Sequence, residues 1–356
     1  MTCAICRQGL TDSGNTNTRR LPAEWEPQDA ILLAWPHEHT DWQPILNQVT
    51  AVYIELIHQI SRFETVIIIA PELNVVRETL EKTDIDFTRI FLHQIDTNDT
   101  WTRDFGPLIV YDNNRPQLLD FNFNGWGLRF PADKDNQATR LLHGTGIFKG
   151  VERHSSDLIL EGGSIESDGS GTLLTTSTCL LNPNRNPHLN KTAMELKLYE
   201  LLGFDHFLWL DHGWLAGDDT DSHIDTLARL CPNDTILYVH CDNGEDEHYP
   251  ALKKMEAQLK QFKTKSGQPF RLLPLPWPQA CYDANDRLPV SYANFLIINQ
   301  AILVPIYNNS ADTLAMEVIK EAFPDREIVG IDCRPLVKQH GSLHCVTMQL
   351  PQGVLS

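Results

Sequence analysis

Long apolar runs and clustered cysteines are both missing from this sequence of 356 residues. The longest apolar run, around residues 66–70, is too short to cross a bilayer. The first twenty residues contain no apolar segment typical of a secretory signal. The eight cysteines lack the spacing of a disulfide framework, which favours a reducing compartment. These absences predict a cytoplasmic protein with no membrane partner.

Positive charge is also scarce, because 29 lysines and arginines stand against 47 aspartates and glutamates, for a net charge of −18. A strongly acidic surface repels nucleic acid and anionic membranes, and it attracts small cations toward acid-lined clefts. The charge therefore argues against a nucleic-acid partner and suits a small cationic ligand. Solubility alone is an equally good explanation of the same charge.

A polar leader at residues 1–20 precedes a chain without Pro-, Gly- or Ser-rich linkers, so residues 21–356 are expected to form one domain. Within that domain a pattern recurs: a polar residue, a short apolar strand, a turn and a second strand. The polar residues that begin the copies are, in order, Asp104, Glu161, His223, Asn294 and Cys345. Turn sequences such as DNN, DGSG and PND separate the strands. A spacing of roughly 50 to 70 residues is typical of a repeat architecture.

Helical patterns lie between the copies. They cover residues 44–62, 73–82, 134–142, 191–202, 250–262 and 312–322. Five strand-rich units with outer helices predict an α/β fold in which the units pack radially around a shared centre. The alternative is a mixed α/β domain in which the similarity between units is accidental.

The residues that begin the copies have side chains suited to one kind of chemistry. Carboxylates match the planar donors of a guanidinium group, a cysteine supplies a nucleophile, and a histidine transfers protons. Cys345 is the one cysteine in such a position, and the other seven are interpreted as structural. His223 and Asp225 alternate along a predicted strand, so we expect them to face the same side.

Aspartates are concentrated around this histidine, with four of them between residues 218 and 225. Such a density of negative charge requires a cation nearby, which could be a solvent counterion, a metal ion or a charged substrate. The segment WTRDFGP similarly places Trp101 and Arg103 beside Asp104. Each of these segments alone is also compatible with an ordinary solvated turn.

Taken in order, five segments resemble the agmatine deiminase and bacterial (Porphyromonas-type) peptidylarginine deiminase family of the guanidine-modifying superfamily. They are WTRDFGP, LEGGSIESDGSGTLLTT, DDTDSHIDTLARL, SYANFLIINQAILVP and GSLHCVTMQLP. The early segment LPAEWEPQDAILLAWPHEHTDW is similar to the family's opening strand, so the resemblance runs from about residue 21 to residue 351. It implies a five-bladed α/β propeller, or pentein, of ββαβ-like repeats with pseudo-fivefold symmetry and a site on the central axis.

The resemblance also implies catalytic roles. Cys345 is implied as the nucleophile, His223 as the general acid and base, and Glu161 as the residue that orients His223 or a substrate nitrogen. The implied reaction converts agmatine to N-carbamoylputrescine and ammonia through a covalent thiouronium on the cysteine. Neither a metal ion nor a cofactor is implied.

Further positions are predicted to bind a small cationic guanidine. The resemblance implies that Asp104 and Asp225 clamp the guanidinium, and Asn294 matches a polar position of the family's site. We expect Trp101 to line the same site. Because agmatine carries a second cation, one of Asp218, Asp219 and Asp221 is expected to hold its distal ammonium.

Several positions near the site depart from the family's usual residues, which leaves the substrate open. They are Thr102, Phe105, Asp221, Ser222 and His340. Peptidylarginine and free arginine are the alternative substrates, and their carbonyl or carboxylate groups would need a basic partner such as Arg129. A homodimer is one expected assembly.

Three other classes of protein compete with a deiminase. A papain-like thiol amidase would use the same cysteine and histidine, but it would not need two carboxylates at a cationic substrate. A metal protein would use Cys3 and Cys6 or His37 and His39, and each pair supplies only half of a zinc site. A non-catalytic binding propeller would not need the reactive residue types that all five positions carry.

Overall fold

The computed structural model describes residues 18–355, which form an α/β fold of mixed sheets. The described strands are β1 (Arg19–Arg20), β2 (Gln28–Ala34), β3 (Thr65–Ala70), β4 (Ile90–Gln94), β5 (Leu108–Asp112), β6 (Arg115–Asn122), β7 (Glu152–Ile159), β8 (Ile165–Ser167), β9 (Thr172–Thr176), β10 (His206–Leu210), β11 (Ala228–Cys231), β12 (Thr235–Val239), β13 (Arg271–Leu275), β14 (Tyr282–Asp283), β15 (Asp286–Arg287), β16 (Leu296–Ile297), β17 (Ala301–Ile306), β18 (Glu327–Asp332) and β19 (Met348–Pro351).

Helices occupy most of the connections between these strands. They are α1 (Leu46–Ser61), α2 (Leu73–Leu80), α3 (Thr102–Phe105), α4 (Gly125–Leu128), α5 (Asp135–Gly144), α6 (Ser177–Leu180), α7 (Lys191–Leu202), α8 (Tyr249–Leu259), α9 (Asp312–Ala322) and α10 (Arg334–Val337). Short 3-10 turns lie at Gln43–Ile45, Phe87–Arg89, Gly162–Ser164 and Ile224–Thr226. The six helices predicted from periodicity are confirmed as α1, α2, α5, α7, α8 and α9.

Five sheets in the described part of the chain repeat one pairing scheme. In each sheet two strands pair antiparallel, and the second strand then pairs in parallel with a strand that follows at least one helix. The sets are β5–β6–β7, β8–β9–β10, β11–β12–β13, β16–β17–β18 and β19–β2–β3. Parallel neighbours need a long crossover, which the helical patterns between the strand pairs supply.

The tight turns explain why the antiparallel pairs form where the sequence predicts them. Asn113 and Asn114, between β5 and β6, both have positive φ, and so do Asn233 and Asp234 between β11 and β12. Asparagine and aspartate tolerate this left-handed conformation, which suits both the two-residue loop between β5 and β6 and the three-residue loop between β11 and β12. The predicted strand–turn–strand pattern is confirmed at both places.

The first and last strands of the domain lie side by side. Near the C-terminus β19 pairs antiparallel with β2, so the N-terminal strands complete the unit to which Cys345 belongs. Arg19 and Arg20, the last residues of the predicted polar leader, form β1 beside β5, and their side chains pair with Asp112 and Glu26. Residues 1–17 of that leader lie outside the described residues. None of the helices within residues 18–355 is both long and apolar enough to cross a membrane.

Short helical turns carry the candidate site residues in front of the strands. Asp104 lies in α3, Glu161 precedes the 3-10 turn at Gly162–Ser164, and Asp225 lies inside the turn at Ile224–Thr226. The prediction that His223 and Asp225 alternate on a strand is therefore wrong. Asp221 and Ser222 both have positive φ, so the chain turns sharply here, and strand β11 begins only at Ala228.

Candidate active site

A cavity of about 190 Å³ contains five of the residues predicted for the site. Its lining includes Trp101, Asp104, Asp218, Asp219 and Cys345. Cys345 lies in the turn before β19 and is 7% exposed. The remaining predicted residues are buried close to this lining, as their contacts show.

The backbone of Gly163 lies where three of the predicted side chains converge. A Cβ atom at this position would lie 2.6 Å from Nδ1 of His223, 2.9 Å from Oδ1 of Asp104 and 3.1 Å from Oδ2 of Asp225. Any side chain here would occupy the space that these polar atoms face. The absence of a side chain at residue 163 therefore keeps the centre of the site open.

Cys345 sits among negative groups in a dry environment. Its Sγ lies 3.8 Å from Oδ2 of Asp225, and its main-chain N–H donates to Oδ1 of Asn294 at 3.3 Å. Burial raises the pKa of the Cys345 thiol well above its ordinary value, and the carboxylates of Asp225 and Asp104 raise it further. The thiol is therefore neutral near pH 7 unless a cation enters the site.

His223 and Glu161 form a buried pair. Nε2 of His223 lies 2.7 Å from Oε2 of Glu161, and the two side chains are 1% and 0% exposed. Burial lowers the pKa of His223, but Asp104, 3.7 Å from Nδ1, and Glu161 raise it, and the net shift is well above the ordinary value. Nδ1 itself is buried without a hydrogen-bond partner in the described residues. The raised pKa makes His223 an imidazolium near pH 7, with one N–H that has no acceptor among the described residues.

Arg185 supports this pair and was not selected from the sequence. Its Nε and Nη2 atoms each donate to one oxygen of Glu161 at 2.8 Å, and Nη1 donates to Asp221 at 2.6 Å. Burial raises the pKa of Glu161, but His223 and Arg185 lower it by more, so the carboxylate stays charged. Arg185 lies in the segment NPNRNP between α6 and α7, and nothing in that segment predicts its contact with Glu161, 24 positions earlier.

Asp104 is held by two donors. The indole N–H of Trp126 donates to Oδ2 at 2.9 Å, and the main-chain N–H of Gly163 donates to Oδ1 at 3.0 Å. Burial raises the pKa of Asp104 to about 6; the positive charge of His223 opposes this rise, and Glu161 adds to it. Trp126, with φ of 53°, is a second functional residue that the sequence did not indicate.

The two oxygens of Asp225 differ in their partners, although Oδ2 is the one that lies near Gly163 and Cys345. Oδ2 accepts from Nδ1 of His344 at 2.8 Å, whereas Oδ1 is buried and has no hydrogen-bond partner within residues 18–355. Burial raises the pKa of Asp225, but His344 lowers it by more, so the carboxylate is ionised. Nδ2 of Asn294 is likewise buried without a partner in the described chain. An unpaired acceptor and an unpaired donor in one dry site are costly unless a ligand satisfies them.

Asp218 and Asp219 both line the cavity but differ in their surroundings. Asp218 accepts from the side chain of Thr220 at 2.5 Å and from the main-chain N–H of Ser222 at 2.7 Å, so it braces its own loop. The Asp219 carboxylate makes no hydrogen bond to another side chain within residues 18–355. Burial raises the pKa of Asp219, and the charge of His340 opposes that rise. Asp219 is therefore the better placed of the two to meet a cation.

Trp101 forms an apolar wall of the cavity. It is 6% exposed and packs on Trp42 with ring centroids 5.5 Å apart. A Cβ atom on Gly341 would lie 2.1 Å from the Trp101 ring, so the glycine before the cysteine turn is required for this contact. The wall can contact the aliphatic part of a ligand.

Arg129 is engaged with the loop in front of His223. Its Nη2 donates to Asp221 at 2.5 Å, and it also donates to the main-chain oxygen of Asp219. The basic partner expected for a substrate carboxylate is thus paired with an acidic side chain of the protein itself. The unusual Asp221 serves both Arg129 and Arg185, which accounts for an acid at that position.

The other unusual residues have separate explanations. The hydroxyl of Thr102 donates to the main-chain oxygens of Leu32 and Val346, which ties α3 to the neighbouring strands. Phe105 is buried with its ring 6.0 Å from that of Phe123. His340 lines the cavity with φ of 67°, and its Nδ1 is a further buried nitrogen without a partner in the described residues.

Two clusters within residues 18–355 have ligand atoms close enough to hold a metal ion. They are Glu161 with Cys179 and His223, and Glu24 with Glu166 and His344. In both clusters an arginine already pairs with the carboxylates, Arg185 in the first and Arg229 in the second. His37 and His39 belong to neither cluster, and Cys3 and Cys6 lie outside the described residues.

Comparison with known proteins identifies the family to which the chain belongs. The family model described as Porphyromonas-type peptidyl-arginine deiminase matches residues 20–351. A Shewanella sp. (strain W3-18-1) protein provisionally named an agmatine deiminase is 34% identical over 97% of both chains. The crystal structure of a Porphyromonas gingivalis protein provisionally named an arginine deiminase is 49% identical, with a TM-score of 0.91, and covers 95% of this chain and 100% of its own. The agmatine deiminase of C. jejuni, solved with substrate bound, is 41% identical, with a TM-score of 0.87 and coverages of 94% and 97%.

Proposed function

Because the chain belongs to the Porphyromonas-type peptidyl-arginine deiminase family, we propose that it is a guanidine deiminase that hydrolyses agmatine to N-carbamoylputrescine and ammonia. One observation carries this proposal: a thiol, an imidazolium and two carboxylates face the same small space in front of Gly163. A guanidinium is a planar cation with several N–H donors, and two carboxylates bind such a group with fixed orientation.

The first half of the proposed reaction forms a covalent intermediate on Cys345. Binding of the substrate cation between Asp104 and Asp225 lowers the pKa of the thiol, whose proton leaves to solvent. The thiolate attacks the guanidinium carbon, and a C–S bond forms to give a neutral tetrahedral centre. His223 then donates a proton to one terminal nitrogen, the C–N bond breaks, and ammonia leaves. A positively charged S-alkylthiouronium and a neutral imidazole remain.

The second half hydrolyses that intermediate. Neutral His223 accepts a proton from water while the oxygen attacks the same carbon, which gives a second tetrahedral centre. The C–S bond breaks, the electron pair returns to sulfur, and the hydroxyl proton restores the thiol of Cys345. The departed ammonia takes up the proton released at the start, so the substrate's positive charge ends on ammonium. Glu161 stays ionised throughout and stabilises His223 while it is charged.

The charges around the cavity favour agmatine as the substrate. Asp219 provides an acid without a side-chain partner in the described residues, which suits a distal ammonium. Free arginine would bring a carboxylate, and Arg129 is already paired with Asp221. Trp101 supplies an apolar surface for the connecting methylenes.

Peptidylarginine is the second candidate, supported by apolar side chains close to the cavity. Leu128 is 76% exposed and Phe130, which lines the cavity, is 39% exposed. Exposed apolar side chains beside a binding cavity are common where a polypeptide docks. A peptide substrate would place its backbone against these residues and leave Asp219 without a cation.

The experiment that separates these candidates measures ammonia release and ureido-product formation with agmatine, free arginine and a blocked arginine peptide. We expect the largest kcat/KM for agmatine. Faster turnover of the peptide would assign the second candidate, and the absence of product from all three would refute guanidine deimination.

We further propose that the five repeated sheets surround a common axis as a five-bladed α/β propeller within a single catalytic domain. The proposal is supported by the way in which residues from turns of different units meet at one cavity. The 3-10 turn at Gly162–Ser164 contacts α3 on one side and the 3-10 turn at Ile224–Thr226 on the other. A cytoplasmic location and a homodimer are proposed from composition and family alone. Fractionation of cells tests the location, and sedimentation of the purified protein tests the dimer.

A further inference from the structure

His344 lies between two carboxylates at the back of the site. Its Nδ1 is 2.8 Å from Oδ2 of Asp225, its Nε2 is 2.7 Å from Oε1 of Glu24, and the ring is fully buried. Neither residue of the pair Glu24 and His344 has a role in the reaction proposed above. The residue that directly follows His344 in the chain is the nucleophile Cys345.

The contact with His344 fixes the orientation of the Asp225 carboxylate. The oxygen that accepts from the imidazole, Oδ2, is also the one near Gly163 and 3.8 Å from the sulfur of Cys345, and Oδ1 is left as a buried acceptor without a partner in the described residues. Without that donor the carboxylate could rotate and share both oxygens with its other neighbours. A bidentate or well-aligned clamp requires this orientation before the ligand arrives, because reorientation would cost free energy on binding.

His344 also anchors the turn that carries the nucleophile. Its main-chain N–H and that of Cys345 both donate to Oδ1 of Asn294, at 3.1 and 3.3 Å. One residue therefore connects the clamp, through its side chain, to the position of the sulfur, through its backbone. The 3.8 Å separation between Sγ of Cys345 and Oδ2 of Asp225 reflects this link.

Glu24 keeps the imidazole from turning. Its oxygens accept from Arg103 at 3.1 Å, from Arg229 at 2.5 Å and from Gln349 at 3.0 Å. These donors come from α3, β11 and β19, so three different units fix the carboxylate. A group held from three sides provides a rigid support for the imidazole ring.

We propose that His344 is a positioning residue, held by Glu24, that fixes the orientation in which the Asp225 carboxylate meets the guanidinium. The inference rests on the proposed function, because it assumes that Asp225 binds the cationic group. His344 does not touch the ligand itself. We therefore predict that its substitution weakens the preference of the site for a planar cation over a neutral molecule of similar shape.

The test uses two reagents that alkylate a thiol and differ only in charge. 2-Chloroacetamidine is a planar cation like the substrate, and 2-chloroacetamide is its neutral counterpart. With either reagent sulfur displaces chloride: a C–S bond forms, the C–Cl bond breaks, chloride leaves with the electron pair, and the thiol proton goes to solvent. The ratio of the two alkylation rates of Cys345, followed by mass spectrometry, measures how well the clamp recognises a cation.

Two amide substitutions separate the two contacts of the ring. His344→Asn places a donor near the position of Nδ1 and keeps the contact with Asp225, whereas His344→Gln places its amide toward Glu24 and loses that contact. We expect the unaltered protein and His344→Asn to prefer the cationic reagent by about 100-fold, the strength of a charge-assisted contact. His344→Gln should reduce the preference to roughly tenfold or less.

Equal ratios for the two variants, or an unchanged ratio in His344→Gln, would overturn the positioning role. An unaltered protein without any preference for the cation would instead refute the clamp and with it the proposed function. Glu24→Gln keeps the shape of its side chain and should also lower the ratio, which preserves the test if His344→Gln does not fold. His143→Gln is the matched control, since His143 lies on α5, where its ring contacts the main-chain oxygen of Val151 and stacks on Phe148, and it does not line the cavity.

Discussion

Nε2 of His223 lies 2.7 Å from Oε2 of Glu161 in a fully buried pair, and Nδ1 of the same ring has no hydrogen-bond partner in the described residues. The geometry assigns the two nitrogens different tasks. The first is fixed by a charged acceptor, so the ring keeps one orientation through a change of protonation state. The second is free to exchange a proton with a ligand, which is the requirement for a general acid that later acts as a base.

Arg185 should be essential for the stability of this pair. Arg185→Met leaves Glu161 as a buried charge with two hydrogen bonds fewer, and we expect the free energy of unfolding to fall by about 3–5 kcal/mol. Urea denaturation measures the change, and Glu161→Gln in the same chain should recover part of it because the unpaired charge is removed. A loss below about 1 kcal/mol would show that water replaces the guanidinium.

The charge of Asp104 should matter more than its shape. Asp104→Asn keeps the side-chain volume but removes the negative charge that faces the guanidinium, so kcat/KM for agmatine should fall by roughly 10² to 10⁴. Asp205→Asn is the matched control, because that exposed carboxylate pairs with Lys265 and does not line the cavity. If Asp104→Asn had nearly the same kcat/KM as the unaltered protein, Asp104 would have only a structural role in its own turn.

The acid limb of the pH profile should report the same carboxylate. Because the pKa of Asp104 is about 6, the group binds a proton and loses its charge below that pH, so kcat/KM should fall as the solution becomes more acidic. Trp126→Phe removes a hydrogen bond that stabilises the charged form, which raises the pKa. The limb should then move up by roughly one pH unit. A limb that stays in place, or moves to lower pH, would contradict this assignment.

Asp219 rather than Asp218 should recognise the distal ammonium of agmatine. Asp219→Asn is expected to lower kcat/KM for agmatine by roughly 10- to 100-fold, the size of one charge-assisted contact. The comparison substrate is butylguanidine, which lacks the distal ammonium and should be affected by less than about threefold in the same variant. Similar losses with both substrates would show that the substitution disturbs the loop instead.

The family, the six helices and the antiparallel strand pairs joined by tight turns could all be predicted from the sequence. Periodicity and turn residues are local signals, and the NN turn at residues 113–114 illustrates how directly they act. The comparisons confirm the family. The strand predicted at residues 223–225 is wrong, because alternation over three residues cannot distinguish a strand from a helical turn when the preceding two residues adopt positive φ.

The supporting residues of the site could not be predicted in the same way. Arg185, Trp126, His344 and Glu24 reach the catalytic positions only after units distant in the chain have packed together. Glu24 is 320 residues away from His344, and no local pattern records that contact. The five polar residues that begin the repeated units could be found from the sequence because the repeat marks their positions. The residues that support them occupy no common position in the repeat.

The central claim is that Cys345 carries a covalent intermediate during hydrolysis of agmatine. The most direct measurement is intact-mass analysis after rapid acid quench of the protein mixed with agmatine, followed by peptide mapping. We predict an adduct on Cys345 with the mass of agmatine less ammonia, absent from Cys345→Ser and present in Cys281→Ser, together with stoichiometric formation of N-carbamoylputrescine. Normal turnover of agmatine by Cys345→Ser, or an adduct on another cysteine, would contradict the account.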